Sequence, residues 1–565
     1  MAQAIDARAD ADRGVVLGWL PGYEVIAWGA IGLTTLALRL VGIGDPPLNP
    51  DEGRRALEGL TLFREWRVAY EAGPLLPNLL SFVFALFTPG DGQARLPSAL
   101  FGTLLVLAPW LLRPVLGAGW SLGAALALAV SPPLVVLSRT VSPAIFGLGF
   151  LLLTVACGWR YAQDRDRRWL VGALAAVALG LASDPSLTVG LAGALLAYAI
   201  AEGDVGTLRA WFPTARAAVG RAALVALGVG VLVSTRLLMN PIGVQAGLID
   251  PLWTWSGDVA RGSGLRAPLL FLLEDGGTLL LAAIGAARYR CHPRSVRFLG
   301  VWLIIALTLA SLMRQPDARY LFQPSVPAAL LGGLGLVCLW ERLRAHASSR
   351  TVVVGLAALV PLVTATIQIN AGLRQDQDPW IPAAVVAAAG LLLVALLAFN
   401  ILAPGEVGSS AATFALVLVA FGTVAGASRW LEARGSDRGH LVDTAVLTAD
   451  VRTVREHALA WYRADPFRMI PVEPALRPIV AWALRDIPTV RFDASAATQP
   501  VPRLLAAPPT QVEPNWEAVR VVVGYATDGE AASLGPAQLW SWLVQRQSLV
   551  GVRPYAIVLV QPAGR

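Results

Sequence analysis

Apolar residues run unbroken, or nearly so, over one stretch after another between about residue 24 and residue 428, and then give way to a mixed, charged and proline-rich pattern. The apolar stretches fall near 24–43, 96–116, 120–138, 144–160, 169–184, 186–201, 222–240, 268–287, 298–313, 321–340, 351–370, 381–403 and 411–428. Most have the length of a helix that crosses about 30 Å of hydrocarbon, so the pattern predicts about 13 membrane-spanning helices. A further apolar segment, Gly73 to Thr88, has only about 15 residues before Pro89, a length at which interfacial or re-entrant helices compete with true spans. After Trp430, the runs Val519–Val523 and Ala556–Val560 read as strands, and Asp450–Tyr462, Ala475–Arg485 and Pro536–Gln545 have helical periodicity. The prolines of Gln499 to Pro514 mark a surface loop.

The expected architecture is therefore a polytopic α-helical membrane protein with a small α/β domain. Residues 1–23 form a cytoplasmic N-terminus, 24–428 the transmembrane domain with a first outer loop at 44–95, and 429–565 an extracytoplasmic α/β domain.

Composition agrees with the pattern. Of 565 residues, 56% are hydrophobic and 15% charged, with a mean hydropathy of +0.60, which excludes a soluble enzyme and nucleic-acid partners. All 45 basic residues are arginine, against 38 acids. Cys157, Cys291 and Cys338 are too scattered for a disulfide framework and read as packing residues. The N-terminal stretch lacks the pattern of a removable signal peptide, so the first span is expected to serve as its own signal.

Charge placement then supplies an orientation. The loops Arg160–Arg168, Arg209–Arg221, Arg288–Arg297 and Glu341–Arg350 hold clustered arginines and are expected inside. With the N-terminus also inside, Gly44 to Arg95 must return the chain to the side it entered, so the 73–88 segment dips into the outer leaflet without crossing. Tryptophans at span ends, among them Trp120 and Trp340, fit an interfacial belt. By the same parity, the turns near 138–143, 240–268, 314–320 and 371–380, and everything after Trp430, face outward in a multi-pass protein of the cytoplasmic (inner) membrane.

The candidate chemistry lies on that outer face. Asp51 and Glu52 are adjacent acids at the start of an amphipathic helix, where the helix dipole favours carboxylates and where a general base could stand at the membrane surface. Arg95 falls at the outer mouth of the second span, placed either to snorkel or to hold a phosphate. Glu274 and Asp275 lie within an apolar stretch and read as either intramembrane acids or an interfacial pair, according to where the span begins. Trp253 and Trp255 read as membrane-edge anchors, and Asp376 and Asp378 as a solvated loop. No cluster has metal-ligand spacing, so no metal-ligating residue is assigned.

In order along the chain, the Asp51-Glu52 loop, Gly73-Pro74 with its apolar helix, Ala94-Arg95-Leu96-Pro97-Ser98, Ser131-Pro132-Pro133 and Ser138-Arg139 resemble the GT-C superfamily of polyprenyl-phosphate-sugar-dependent glycosyltransferases. That group includes the protein O-mannosyltransferases and the lipid A aminoarabinose transferases, and the likeness is greatest to the membrane proteins named as flippase-activity-associated. It extends to Asp317–Pro324 and Ala481–Asp486, and so over nearly the whole chain.

The resemblance implies an inverting transfer of a sugar from a polyprenyl-phosphate donor to a glycan, lipid or protein acceptor at the outer face, among membrane lipids. It makes Asp51 the catalytic base with Glu52 beside it, and Glu71, Arg95, Arg139, Arg319 and Tyr320 substrate-binding residues. No cofactor is required outright; a divalent cation, Mg or Mn, is the one candidate. Departures are as informative. The acid that many members carry five residues after the Ser-Arg pair is Ala144, the lysine of the aminoarabinose branch is Ala72, and the polar turn closing the fifth span is Ser183-Asp184-Pro185. With the second acid missing, Asp184 could replace it, or the chain could be a non-catalytic relative that binds or helps flip lipid-linked sugars. An ion-coupled transporter fits the span count but not the absence of paired broken helices.

Overall fold

The computed structural model describes residues 21–45, 47–65, 69–70, 73–202, 205–259, 266–288, 290–313, 318–346, 390, 406–433, 445–493, 496, 501–509, 514–527 and 552–562. The expected spans at 351–370 and 381–403, Asp376, Asp378, the helix at 536–545 and Glu71 with Ala72 lie outside them.

Eleven of the thirteen apolar stretches coincide with helices: α1 (Pro21–Leu40), α4 (Asp91–Leu107, continued to Leu116), α5 with α6 (Ala118–Val130, Pro132–Ser138), α7 (Ala144–Asp164), α8 (Arg167–Leu181), α9 (Ser186–Glu202), α10 (Val205–Ser234), α11 (Arg266–Ala286), α12 (Pro293–Leu312), α13 (Ser325–His346, led in by the turn Ala318–Leu321) and α14 (Glu406–Ala433). Between α1 and α4 stand α2 (Pro50–Arg64) and α3 (Leu75–Leu86).

By length and apolarity alone, five helices among the described residues suffice to cross a bilayer, or six with the bent pair α5–α6. The expected thirteen is thus not matched by length: α8 and α9, with 15 and 17 residues, reach only about 22–26 Å. Helix α3, at 12 residues, reaches about 18 Å and does not span.

Sequence signals account for the helix boundaries. Ser131-Pro132-Pro133 ends α5 and starts α6, because proline cannot continue the hydrogen-bond ladder of the preceding helix, and the axis turns by 65°. Helix α11 is kinked at Asp275, just before Gly276 and Gly277. Small residues let the central helices touch: a Cβ on Gly123 of α5 would lie 2.5 Å from the carbonyl oxygen of Gly333 in α13. On the other flank of α13, a Cβ on Gly335 would lie 2.1 Å from the carbonyl oxygen of Leu281 in α11. Trp120, expected at the interface, is instead buried, its indole N–H donating to the Leu330 carbonyl at 2.6 Å.

The C-terminal domain is a six-stranded mixed sheet in the order β1-β5-β6-β4-β2-β3. The strands are β1 (Ala445–Leu447), β2 (Ile470–Val472), β3 (Val490–Phe492), β4 (Arg503–Leu505), β5 (Trp516–Thr527) and β6 (Val552–Pro562). The two runs read as strands form the antiparallel centre β5–β6, and α15 (Val451–Ala464) packs on the sheet through Val451, Val454 and Ala458. Residues 475–485 form short helical turns, not one helix.

The domain sits on the first loop: Trp482 donates from its indole nitrogen to Asp91 Oδ1 at 2.7 Å, Arg485 Nη2 to the Pro89 carbonyl at 2.6 Å, and Arg452 Nη2 to the Gly44 carbonyl at 3.2 Å. The turns near 138–143, 183–185, 240–258 and 318–320 meet at this same end, whereas Glu24 with Arg113 and Arg288 with Glu341 pair at the other.

Candidate functional site

Helix α2 presents the site. Asn49 caps it: its side-chain oxygen accepts from the Glu52 backbone N–H at 2.8 Å, and Glu52 Oε2 accepts from the Asn49 N–H at 3.1 Å. This reciprocal capping box, with Pro50 at the first helical position, fixes where the helix starts and hence which way each of the next residues points.

Glu52 is buried, and its carboxylate meets the Arg95 guanidinium twice, Nε to Oε1 at 2.8 Å and Nη2 to Oε2 at 2.7 Å. Arg95 also donates to the carbonyls of Ile43 (2.9 Å) and Pro47 (3.2 Å). Glu52 Oε1 further accepts from the Val141 N–H at 2.9 Å. Glu52 and Arg95 thus form a buried clamp between α2, α4 and the 139–143 turn.

Asp51 is presented. Its side chain is 71% exposed, with Arg54 Nη2 3.4 Å from Oδ1. One turn on, Arg55 donates from Nη1 to the Val141 carbonyl at 2.9 Å. Burial pushes the Arg55 guanidinium below its usual value; Asp51 and Asp184 pull it up, and Arg319 and Arg54 push it down. Arg55 therefore stands within electrostatic reach of two acids and two arginines. Tyr320 is buried, donates from its hydroxyl to Asp258 Oδ2 at 2.9 Å, and lies beside Arg319, whose guanidinium carbon is 5.7 Å from its ring.

Asp184 packs against α7 one turn from Ala144. Ala144 opens α7, and one turn later a Cβ on Gly147 would lie 3.2 Å from the Asp184 Cβ. Asp184 is buried and its Oδ1 accepts from the Ser186 N–H at 2.7 Å, an Asx arrangement that starts α9. Its charge acts on Arg55 and on Tyr320. The first turns of α3 close in from the side: the Leu75 N–H donates to the Ala182 carbonyl at 2.9 Å.

The structure thus gathers Asp51, Arg319 and Tyr320 from the sequence-predicted set and adds Arg55 and Asp184. Arg139 is placed elsewhere: Nη1 donates to the Leu38 carbonyl at 2.6 Å at the end of α1, and its charged neighbours are Arg39 and Arg95. It braces the end of α1 against the turn that carries Val141 and does not join the cluster. Arg55 was missed because it follows Arg54 in an amphipathic helix, where an arginine pair reads as a solvated face; only the spacing of four from Asp51 pointed to a shared side.

Glu274 and Asp275 are both buried within the protein. Asp275 accepts from three hydroxyls, Ser131 (2.9 Å), Ser325 (3.1 Å) and Thr278 (2.6 Å), and so ties the α5–α6 break to α11 and α13. Among the described residues no three His, Cys, Asp or Glu side chains converge on a point.

Comparison with known proteins gives the same picture. The family model for dolichyl-phosphate-mannose-protein mannosyltransferases matches residues 71–231. No curated protein sequence matches the chain. The fold is similar to that of ArnT from Cupriavidus metallidurans bound to undecaprenyl phosphate, at a TM-score of 0.56 and 18% identity, covering 96% of this chain and 99% of that one. It is similar also to the same protein in the apo state, at 0.54 and 18%, covering 95% and 97%. The archaeal oligosaccharyltransferase AglB from Archaeoglobus fulgidus aligns at a TM-score of 0.43 and 13% identity, covering 83% of this chain and 64% of that one. The chain thus carries, over residues 71–231, a match to the mannosyltransferase family model and, from end to end, a fold similar to that of ArnT.

Proposed function

We propose that this protein is an integral-membrane, inverting glycosyltransferase that moves a sugar from a polyprenyl-phosphate donor to an acceptor hydroxyl at the outer face of the cytoplasmic membrane. The observation that carries the reading is the exposed carboxylate of Asp51 held on one helix beside Arg55, itself flanked by Arg319 and Asp184. The likeness to a fold solved with undecaprenyl phosphate supports the donor class.

In this reading Asp51 accepts the acceptor's hydroxyl proton as that oxygen bonds to the anomeric carbon. The bond from that carbon to the phosphate oxygen breaks, and polyprenyl phosphate leaves with the electron pair. Arg55 and Arg319 face the charge that grows on the leaving phosphate, which a guanidinium can meet with two parallel hydrogen bonds. Asp184, not residue 144, supplies the second carboxylate and holds Arg55 in place. The C-terminal domain, lying over the loop that bears Asp51, stands on the acceptor side, and a glycan, lipid or protein acceptor remains open to it.

A second reading, a lipid-linked-sugar binder without transfer, is favoured by Ala144 standing where many relatives have an acid. Reconstituting the purified protein in vesicles with a panel of labelled polyprenyl-phosphate sugars separates the two. Transfer by wild type, with a fall of about 10²-fold or more in Asp51→Asn, supports the base role. An Asp51→Asn variant as active as wild type overturns it.

A further inference from the structure

The face of α2 opposite Asp51 lines a second cavity. Asp51 and Arg55 lie two positions to either side of Gly53, about 200° around the helix. Gly53 itself turns to the C-terminal domain, where a Cβ would lie 3.2 Å from the Trp482 Cβ. Next to that contact is a cavity of about 400 Å³ between the first loop and the C-terminal domain. That volume is within the range that takes a small molecule.

Its lining mixes apolar side chains, Leu447, Val451, Leu459 and Ile479, with the charges of Arg452, Arg455 and Arg485 and of Asp91 and Glu456. Three arginines thus face two acids in the lining, an excess of one positive charge. Asp91 Oδ1 is taken by the Trp482 indole N–H. Asp486, outside the lining, lies 2.9 Å from Arg455 Nη2 and 3.9 Å from Arg485 Nη2, so it meets only the tip of each.

The Nε atoms of Arg455 and Arg485 are buried and have no hydrogen-bond partner, although the Arg485 side chain is only 7% exposed. An unsatisfied guanidinium N–H in such a place is costly, and burial together with Arg455 pushes the Arg485 guanidinium below its usual value. Arg485 is held rigidly, stacked 4.0 Å over the Trp482 ring and donating to the carbonyls of Trp482 and Pro89. Two guanidinium groups with unsatisfied N–H donors, one of them held in place, among apolar side chains make a receptor for an oxyanion carried on a compact ring.

We propose that this interdomain cavity binds a small ring-bearing oxyanion, a carboxylate or phosphate monoester, at a site separate from Asp51 and on the opposite face of α2. The site needs no transfer activity, so its test is independent of the reading above.

Binding of glucuronate, glucose 1-phosphate, neutral glucose and inorganic phosphate to the full-length protein in detergent is measured by calorimetry. At least one of the two ring anions binds saturably, with glucose and inorganic phosphate at least about tenfold weaker, and which anion binds identifies the group. Arg455→Gln weakens that binding about tenfold, Ala483→Phe, which fills the cavity, abolishes it, and Asp51→Asn leaves it unchanged. The proposal is overturned if neither ring anion binds at millimolar concentration, if glucose or inorganic phosphate binds as well, or if folded Arg455→Gln and Ala483→Phe proteins bind like wild type.

Discussion

Glu52 and Arg95 stand 43 residues apart in the chain and are joined by two parallel hydrogen bonds, 2.8 and 2.7 Å long, in a place almost sealed from solvent. The pair ties the start of α2 to α4, and through Val141 it also ties the turn that receives Arg55. The position of Asp51 is therefore set by its neighbour in sequence, not by its own contacts.

Breaking that clamp from one side leaves a buried charge. Arg95→Ala is expected to destabilise the fold by about 3–5 kcal/mol, whereas Glu52→Met with Arg95→Met recovers much of the loss. Thermal unfolding in detergent measures both. A single variant as stable as wild type shows that the pair contributes nothing.

Arg55→Gln is expected to cut transfer about 10²-fold while leaving unfolding within about 1 kcal/mol of wild type, since one carbonyl contact is lost. Arg55→Lys restores little, because an ammonium cannot make the two-pronged contact. The check is a kcat/KM series on a polyprenyl-phosphate sugar with melting curves alongside.

Trp482 joins the C-terminal domain to the first loop by packing against Gly53 and Phe84 and by its bond to Asp91. Trp482→Phe forfeits only the hydrogen bond, about 1 kcal/mol, and Trp482→Ala about 3–5 kcal/mol. Hydrogen exchange over residues 50–64 and 477–492 reports it: both segments gain exchange in Trp482→Ala. Protection unchanged in that variant rules out a docking role.

Asp275 satisfies three hydroxyls at the α5–α6 bend and the α11 kink. Asp275→Ala leaves those groups unserved and costs about 1–3 kcal/mol; Asp275→Asn keeps an acceptor oxygen and costs less. The order of midpoints in thermal unfolding, wild type then Asn then Ala, is the expected outcome.

Periodicity and charge placement made much of the fold legible. Helices as apolar as α7 and α12 have one stable arrangement in a bilayer, where every backbone N–H and C=O must be satisfied within its own segment. Proline starts the helices at Pro132 and Pro50 through local chemistry, although the stretch 120–138 reads as one span. The strands of three residues, β1 to β4, carried too little pattern to be read, since a run that short shows no alternation.

At the site, the sequence by itself pointed to Asp51, by its place at a helix start after the first span, and its family resemblance pointed to Arg319 and Tyr320. Only tertiary structure decided how the remaining charges are used. Arg95 and Glu52 look like a cation and an acid available to substrate until they are seen to face each other, and Asp184 looks like a turn residue until α7 and α9 bring it beside the position where an acid is missing. The reason is physical. A side chain's chemistry is fixed by its type, but whether its charge is spent inside the protein or offered outward depends on partners tens of residues away, which are set by packing and leave no periodic trace in the chain.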